Sequence, residues 1–200
     1  MAGCAAHMVG ANIANAIEVL RELRRDMDER YLWLLANRYR KLPPGSELPL
    51  EVVVIDELAF YCTDREFVAL LRDLVARGRK AGIIVLAPTQ KPGGDVIPTS
   101  LRDLFSIRWA FRCSTPDASD TILGRGWATQ GYSAHRIDPA YRGVGFLLAD
   151  GGRPVRLRTF YLGDDDLAHI AARAEHLRKP TGEPPTTFDD GEPRRLPITE

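Results

Sequence analysis

The sequence predicts an α/β fold, in which helices flank a sheet of parallel strands. Residues 50–55 form an almost unbroken run of apolar, mostly β-branched side chains, which is typical of a strand that is buried on both faces. A helical pattern follows a capping box at residues 63–66 and ends at Gly82, and residues 83–87 form a second apolar run. This strand–helix–strand unit predicts two parallel strands that lie side by side or nearly so.

Composition limits the kind of protein and its location. The 200 residues are 44% hydrophobic and 27% charged, which is typical of a globular chain long enough for one domain with a sizeable core. Lys and Arg number 27, as do Asp and Glu, so any contact with DNA requires local patches or partner subunits. The three cysteines, Cys4, Cys62 and Cys113, form no CxxC pair, which favours reduced thiols and a cytoplasmic location. No apolar stretch approaches the roughly 18 residues of a membrane span, and no signal peptide is expected.

The remaining elements follow from periodicity and turn residues. Apolar side chains recur at helical spacing over residues 12–40, with a face of mixed charge between them. Downstream we expect short helices at residues 99–104 and 117–123, strands at 107–113, 143–149 and 154–162, and a last helix at 165–177. We divide the chain into an amino-terminal stub (1–11), one domain (12–178) and a disordered tail (179–200) that is rich in Pro, Gly and acidic residues.

Polar side chains follow both predicted strands. Asp56 and Glu57 come directly after the first, and Thr89 and Gln90 follow the second. The carboxyl ends of parallel strands share one edge of a sheet, where α/β proteins bind their ligands. In a nucleotide hydrolase the first acid holds Mg²⁺ and the second polarises the attacking water, which is the Walker B arrangement of P-loop NTPases.

The order of several motifs resembles one family. The stretches VVVIDELA, RGRKAGIIVLAPTQKPGGDVIPTSLRDLFSIRWAFRC and SDTILG resemble the motor domain of FtsK/SpoIIIE DNA translocases, over residues 50–170. Residues 27–31 are similar to a helix that precedes Walker B in that family. The resemblance looks greatest to the versions found in actinobacterial mobile elements.

This resemblance implies the carboxy-terminal portion of a RecA-like P-loop NTPase motor that uses ATP and Mg²⁺ to move along double-stranded DNA. It implies a ring-shaped homo-oligomer, most commonly a hexamer. Asp56 would hold Mg²⁺, Glu57 would be the catalytic glutamate, and Gln90 with Thr89 would sense the γ-phosphate, so that Asp56, Glu57 and Gln90 would contact the nucleotide. Arg77 or Arg79 would reach a neighbouring subunit's nucleotide.

The loop after the second strand would face DNA. In the family it lines the central channel, which assigns phosphate contacts to Lys91, Gly93 and Gly94. Two residues depart from the family pattern. Pro88 stands where a small residue is usual, and Lys91 stands for Arg, which keeps the charge but loses bidentate geometry.

The phosphate-binding loop is the largest departure. The 200 residues contain no GxxxxGK[ST] motif. The resemblance therefore implies a partial sheet without the Walker A strand, an open edge on the Thr-Gln strand, and little or no ATP hydrolysis by this chain alone. Two alternatives stay open: a non-catalytic interaction protein that associates with an intact motor homologue, and an unrelated α/β enzyme that uses Asp56 and Glu57 as acid and base. Members of the family typically carry an amino-terminal membrane region, so the parent protein could be membrane-associated.

Overall fold

The computed structural model describes Ala5 and residues 8–178, which form helices, five short strands and two 3₁₀ turns. In chain order they are α1 (Ile13–Ala36), β1 (Glu51–Val54), α2 (Leu58–Tyr61), α3 (Arg65–Ala81), β2 (Ile83–Leu86), α4 (Thr99–Arg102), β3 (Ile107–Phe111), α5 (Pro116–Leu123), the 3₁₀ turns Ala128–Gln130 and Ala134–Arg136, β4 (Val144–Ala149), β5 (Val155–Arg158) and α6 (Asp164–Arg178). The described strands form a parallel pair, β1–β2, and an antiparallel sheet, β3–β4–β5.

The chain divides into two compact units. One contains Leu23–Phe160 and therefore both sheets, and the other contains Met1–Glu22 with Tyr161–Glu200. The described part of the second unit consists of the first turns of α1 and the whole of α6, which begins with three aspartates at its positively polarised end. The predicted disordered tail, residues 179–200, lies outside the described residues, and the three-part division of the chain stays a prediction.

The parallel pair β1–β2 has one covered face. Its register joins Glu51 to Ile83 and Val53 to Val85, and Ile83 is almost fully buried. Helix α3 approaches this face closely at Gly78, where an added Cβ would lie only 3.0 Å from the Ile83 carbonyl oxygen. A side chain at that position would push the helix away from the strand, so the glycine sets the distance between helix and sheet.

The prediction that the first strand is buried on both faces is wrong. Burial alternates along β1 and β2, and the face opposite Glu51 and Ile83 is open. The open apolar face, as we call it, consists of Val52 (57% exposed), Val54 (64%), Ile84 (40%) and Leu86 (53%). The run is apolar, as predicted. A run without polar alternation shows that its side chains favour burial, but it does not show whether other parts of the chain cover both faces of the strand.

Arg30 fastens helix α1 to the covered side of the sheet. Its guanidinium, only 4% exposed, donates to Asp26 on the same helix, to the carboxylate of Glu51 on β1, and to the carbonyl oxygens of Pro49 and Ala81. Burial, joined by the nearby charge of Asp26, raises the pKa of Glu51, while Arg30 opposes that shift. The network satisfies a buried cation with four acceptors and so fixes where α1 crosses the sheet.

Helix α3 begins one residue later than the predicted capping box. The N-cap is Asp64, whose carboxylate accepts the backbone N–H groups of Glu66 and Phe67, whereas the Thr63 hydroxyl donates back to the Phe60 carbonyl oxygen. The cap at Thr63 was therefore wrong, and a carboxylate at the helix start has the added advantage of the helix dipole. The helix ends at Gly82, whose φ of +84° suits glycine.

The antiparallel sheet β3–β4–β5 covers the second core. Ala110 and Phe146 are partners in the register, and their face packs on α5 and the 3₁₀ turns. That core contains Ala110, Cys113, Leu123, Ala134, Ile137, Val144 and Phe146. The opposite face of the sheet is again apolar and exposed, with Ile107, Trp109 and Phe111 on β3 and Val155 and Leu157 on β5.

The β4–β5 hairpin was expected from Asp150-Gly151-Gly152, and the structure contains it. Asp150 and Gly151 have φ values of +46° and +74°, as a tight hairpin turn requires. Strand β5 ends at Arg158, four residues short of the predicted end, and α1 ends at Ala36 rather than near residue 40. Helix α2 and the two 3₁₀ turns were not predicted, and the other elements lie where the sequence placed them to within a few residues at each end.

Candidate functional site

The carboxyl ends of β1 and β2 continue to pair beyond the strands. The backbone N–H of Ile55 donates to the Leu86 carbonyl oxygen and that of Leu58 donates to the Pro88 carbonyl oxygen, both at 2.9 Å. These bonds align the turn after β1 with the turn after β2. The two predicted polar pairs therefore lie at the same edge of the sheet.

Glu57 is bound directly to the second strand end. Its carboxylate accepts the Thr89 hydroxyl at 2.6 Å and the backbone N–H of Gln90 at 3.1 Å. The Thr89 Oγ1 in turn accepts the backbone N–H of Lys91 at 3.1 Å. One carboxylate thus joins the acidic turn to the Thr-Gln turn, across a sequence separation of more than thirty residues.

Two features of Glu57 are unusual for a surface acid. Its backbone has φ of +52° and ψ of +68°, in the left-handed region that a β-carbon disfavours. The hydrogen bond from Thr89 lowers the pKa of Glu57, with help from the Gln90 amide and the charge of Lys91. A non-glycine residue in this conformation is a common feature of active sites, where surrounding contacts hold it in place.

Asp56 and the Gln90 side chain lie beside this link without joining it. Both residues are exposed, and neither side chain makes a hydrogen bond or ion pair with a described residue. A free, exposed carboxylate fits Mg²⁺, which keeps several water ligands and commonly takes one or two carboxylates together with phosphate oxygens. Among the described residues there is no group of three or more His, Cys, Asp or Glu side chains arranged to hold a metal ion.

The loop that follows Gln90 is held at both ends, and at its start the Pro92 carbonyl oxygen accepts the Arg102 guanidinium at 3.1 Å. The Gly93 carbonyl oxygen accepts the backbone N–H groups of Val96 and Ile97, and Ile97 is buried. Lys91 is exposed, as is Gly94. Lys91 and Gly94 are therefore accessible to a large partner, whereas Gly93 is half-buried and shapes the turn.

The two candidate arginines on α3 differ sharply. Arg77 forms a bidentate pair with Asp73 at 2.6 Å, reaches Asp28 on α1 at 3.2 Å, and lies over the ring of Tyr31. These contacts, chiefly the hydrogen bonds to Asp73, raise the pKa of Arg77 further above its ordinary value. Arg79 is 79% exposed, and its nearest acid, Asp150, lies 3.9 Å away. Arg79 is the more accessible of the two to a neighbouring molecule, since Arg77 is 40% exposed and held by Asp73 and Asp28.

A second polar cluster was missed by the sequence analysis. A cavity of about 460 Å³ is lined by Arg102, Asp103, Arg108, Asp117, Asp120 and Arg125. Buried within it, Arg102 Nε and Asp120 Oδ1 have no hydrogen-bond partner among the described residues. These residues are dispersed over α4, β3, α5 and the loop after α5, so their spacing along the sequence carried no signal.

Comparison with known proteins identifies relatives of this chain. It is 31% identical over 133 residues to the DNA translocase FtsK of Brucella melitensis, a match that covers 66% of this chain and 15% of that protein. It is 30% identical over 161 residues to the DNA translocase FtsK of Lactococcus lactis subsp. cremoris, covering 80% of this chain and 18% of that protein. The FtsK of Bradyrhizobium diazoefficiens is 29% identical over 152 residues.

The chain belongs to the FtsK/SpoIIIE family. It spans less than a fifth of the length of these FtsK relatives. A search of protein-family models found no match.

Solved structures show the same fold. The conjugation coupling protein TcpA of pCW3, determined with ATPγS, superposes with a TM-score of 0.71 at 22% identity, covering 84% of this chain and 49% of TcpA. The type VII secretion ATPase EccC of Thermomonospora curvata superposes with a TM-score of 0.62 at 16% identity, covering 92% of this chain and 22% of EccC. This chain thus shares the α/β fold of these two proteins. Among its described helices, none is long and apolar enough to cross a bilayer.

Proposed function

We propose that this chain supplies the acidic part of the ATPase site of an FtsK-type motor that moves double-stranded DNA, in chromosome segregation or in conjugative transfer. The observation that carries the proposal is the direct link between Glu57 and the Thr89-Gln90 turn, beside the free carboxylate of Asp56. Support comes from relatives named as DNA translocases and from a fold shared with a conjugation coupling protein.

In this proposal each polar side chain at the strand ends has a different role in ATP hydrolysis. Asp56 would hold Mg²⁺ through its unpaired carboxylate, and the metal would neutralise charge at the phosphates of ATP. Glu57 accepts a proton from the water that attacks the γ-phosphate, or orients that water. Thr89 holds Glu57 and Gln90 lies beside it, so a phosphate that displaces the Thr89 hydroxyl would release the glutamate for that role.

The phosphate cradle comes from a polypeptide outside these 200 residues. They contain no GxxxxGK[ST] motif, and β2 pairs only with β1 among the described strands. An unpaired strand edge next to the open apolar face is a surface that a strand and helix from elsewhere would cover. We propose that the P-loop strand pairs there, as the resemblance implies.

In the proposed motor several subunits assemble into a ring. Arg79, exposed and almost free of acidic partners, reaches the nucleotide of a neighbouring subunit in a ring, while Arg77 holds α3 to α1. Lys91 and Gly94 face the DNA. The carboxylate of Glu57 and the guanidinium of Arg79 would then act on different nucleotides, which couples adjacent subunits.

The test uses this chain alone and fused behind a P-loop segment taken from a matched FtsK relative. We expect no Mg²⁺-dependent ATP turnover by the chain alone, and turnover stimulated by DNA in the fusion. Glu57→Gln should abolish that turnover, and Arg79→Ala should reduce it by orders of magnitude. Glu29→Gln, which neutralises an exposed acid on α1, is the matched control and should change little.

Two results would contradict the proposal. Turnover by the unfused chain that disappears in Glu57→Gln would show that the cradle lies within these residues. A folded fusion that binds ATPγS but hydrolyses no ATP would contradict the catalytic role of the acidic pair.

The open apolar face also favours a second candidate, a non-catalytic protein that docks on an intact motor homologue. In that case the chain would bind the intact FtsK protein and alter its turnover, and Glu57→Gln in the chain would have no effect on either. Loss of that turnover change in Glu57→Gln would exclude this candidate.

A further inference from the structure

Two leucines interrupt the charged, exposed face of α1 near its carboxyl end, and three cations follow them in the turn beyond the helix. Leu32 and Leu35 are three residues apart and so lie on one face of the helix, where they are 68% and 76% exposed. The four residues 38–41 are exposed as well. The basic turn patch, as we call it, consists of Leu32, Leu35, Arg38, Tyr39, Arg40 and Lys41.

The chain leaves α1 in a conformation that suits glycine, yet an arginine occupies it. The backbone N–H of Tyr39 donates to the Leu34 carbonyl oxygen and that of Arg38 donates to the Leu35 carbonyl oxygen, which are the two bonds of a Schellman motif. Arg38 is the left-handed residue of this motif, with φ of +58°. Glycine is usual there, because a β-carbon disfavours the conformation. Arginine at this position therefore lowers stability, and a role for its charge would explain why it is present.

Aromatic stacking holds the turn against the helix. The Tyr39 and Trp33 rings stack with their centroids 5.7 Å apart, and the Trp33 indole N–H donates to the Glu47 carboxylate at 2.7 Å. The backbone N–H of Leu42 then donates to the Lys80 carbonyl oxygen, which returns the chain to the end of α3. These contacts order the turn within the chain, so the patch is a fixed surface.

Among the described residues the cations of the patch have no acidic partner. Arg38, Arg40 and Lys41 make no ion pair with any of them. The dipole of α1 favours cations at this end of the helix, which accounts for part of the basic character. The dipole gives no advantage to two leucines in solvent. The combination of exposed leucines with unpaired cations therefore points to a partner that is both apolar and anionic.

We propose that the basic turn patch docks on the surface of an anionic lipid bilayer. Elements that lie at a membrane surface present leucines and aromatic rings beside lysines and arginines. The apolar side chains enter the boundary between head groups and acyl chains, where Tyr and Trp are also favoured, and the cations bind anionic head groups. This contact is peripheral and needs neither nucleotide nor DNA, so it does not depend on the proposed ATPase function.

An anionic bilayer suits the patch better than nucleic acid or a second copy of the chain. The backbone of duplex DNA offers phosphates to the cations but no apolar environment to Leu32 and Leu35. A symmetric contact between two copies would bring the same three cations face to face. A bilayer that contains anionic lipid accommodates both kinds of side chain at once.

The experiment measures cosedimentation of the full 200-residue chain with phosphatidylcholine vesicles that contain or lack phosphatidylserine. We expect binding only to the vesicles with phosphatidylserine, and weaker binding as salt is raised. Each basic residue near an anionic surface contributes about fivefold in affinity, so R38Q/R40Q/K41Q should bind about a hundredfold more weakly. The control R65Q/R72Q/R153Q removes the same charge from three exposed arginines elsewhere and should lose less than about fivefold.

A second pair of variants tests the leucines. L32S/L35S should bind at least about tenfold more weakly, because burial of the two leucines in the bilayer is lost. The control V52S/V54S changes two exposed valines on the open apolar face and should bind like the wild type.

The variant R38G separates binding from folding. It removes one cation and places glycine at the positive φ, so its midpoint in urea should rise while its affinity for the vesicles falls about fivefold. This variant therefore tests the patch even if R38Q/R40Q/K41Q is unstable.

Three results would overturn the proposal. Equal losses in the two triple variants would show that binding follows net charge and not the patch. Unchanged affinity of L32S/L35S would show that the leucines stay outside the bilayer. If the wild-type chain does not bind the phosphatidylserine vesicles, the bilayer is not the partner; patch-dependent binding to a random-sequence DNA duplex, or patch-dependent dimerisation in analytical ultracentrifugation, would then identify nucleic acid or a second copy instead.

Discussion

The two faces of the β1–β2 sheet differ in how much of each face is covered by other parts of this chain. On one face α3 approaches Ile83 at Gly78, and the guanidinium of Arg30 on α1 has four acceptors. On the other face, Val52 and Val54 lie more than half in solvent. Apart from Glu51 on the covered face, both faces carry aliphatic side chains, so the difference in burial comes mainly from what covers each face.

This difference bears on the site at the strand ends. The covered side fixes the positions of β1 and β2, so the chain can align Asp56, Glu57 and Thr89 by itself. In the proposed motor, the phosphate cradle would approach from the open side. The acidic pair and the Thr-Gln turn would then be preorganised within these residues, and the rest of the site would come from a polypeptide that covers the open apolar face.

The largest expected effect is a loss of unfolding free energy when the ion pairs of Arg30 on the covered side are removed. Arg30→Met removes a buried cation and leaves the partly buried carboxylates of Asp26 and Glu51 and two backbone carbonyl oxygens without their donor, and we expect a loss of about 3–5 kcal/mol of unfolding free energy in urea. Arg79→Met removes an arginine that is largely in solvent and should change stability by less than about 0.5 kcal/mol. Similar losses in the two variants would show that Arg30 does not fasten α1 to the sheet.

Adjacent isoleucines on β2 compare the two faces directly. Ile83 is 1% exposed and Ile84 is 40% exposed. Ile83→Ala should cost about 2–5 kcal/mol, because it opens a cavity beneath Gly78, whereas Ile84→Ala should cost less than about 1 kcal/mol in the chain alone. Equal costs in urea unfolding would mean that the open face is covered in solution, for example by a second copy.

A charge on the open face sharpens the comparison further. Leu86→Lys should leave the stability of the isolated chain within about 0.5 kcal/mol of the wild type and raise its solubility. In the fusion with a P-loop segment, the same substitution should prevent ATP turnover, since the lysine would be buried. Retained turnover in the fusion would show that the P-loop segment does not cover this face.

The sequence predicted features that depend on neighbouring residues, but it did not predict contacts between residues far apart in the chain. The apolar runs, the helix start near residues 63–66, the helix end at Gly82 and the Asp150-Gly151 turn each depend on a few neighbouring residues, and the structure has an element at each. The burial of β1 failed, because an apolar run does not reveal whether a second layer exists. The aligned strand ends followed from the strand–helix–strand rule, but the Thr89–Glu57 hydrogen bond required coordinates, as did the contacts of Arg77 with Asp73 and Asp28.

The smallest expected effect is at the strand ends, where it tests the link between the two turns. The pKa of Glu57 lies below its ordinary value of 4.5, chiefly because Thr89 donates to the ionised carboxylate. A carboxyl whose pKa is lowered by folding stabilises the protein above about pH 4.5, and this contribution is lost as the pH falls through the lowered pKa.

Thr89→Val should raise the pKa of Glu57 toward 4.5 and flatten the dependence of stability on pH below that value. The NMR titration of the Glu57 carboxyl carbon measures this shift in pKa. Thr63→Val is the control, because the Thr63 hydroxyl donates to the Phe60 carbonyl oxygen and not to Glu57. If Thr89→Val and Thr63→Val leave the same titration curve, Glu57 does not sense the Thr-Gln turn, and a phosphate bound there would have no direct path to the glutamate.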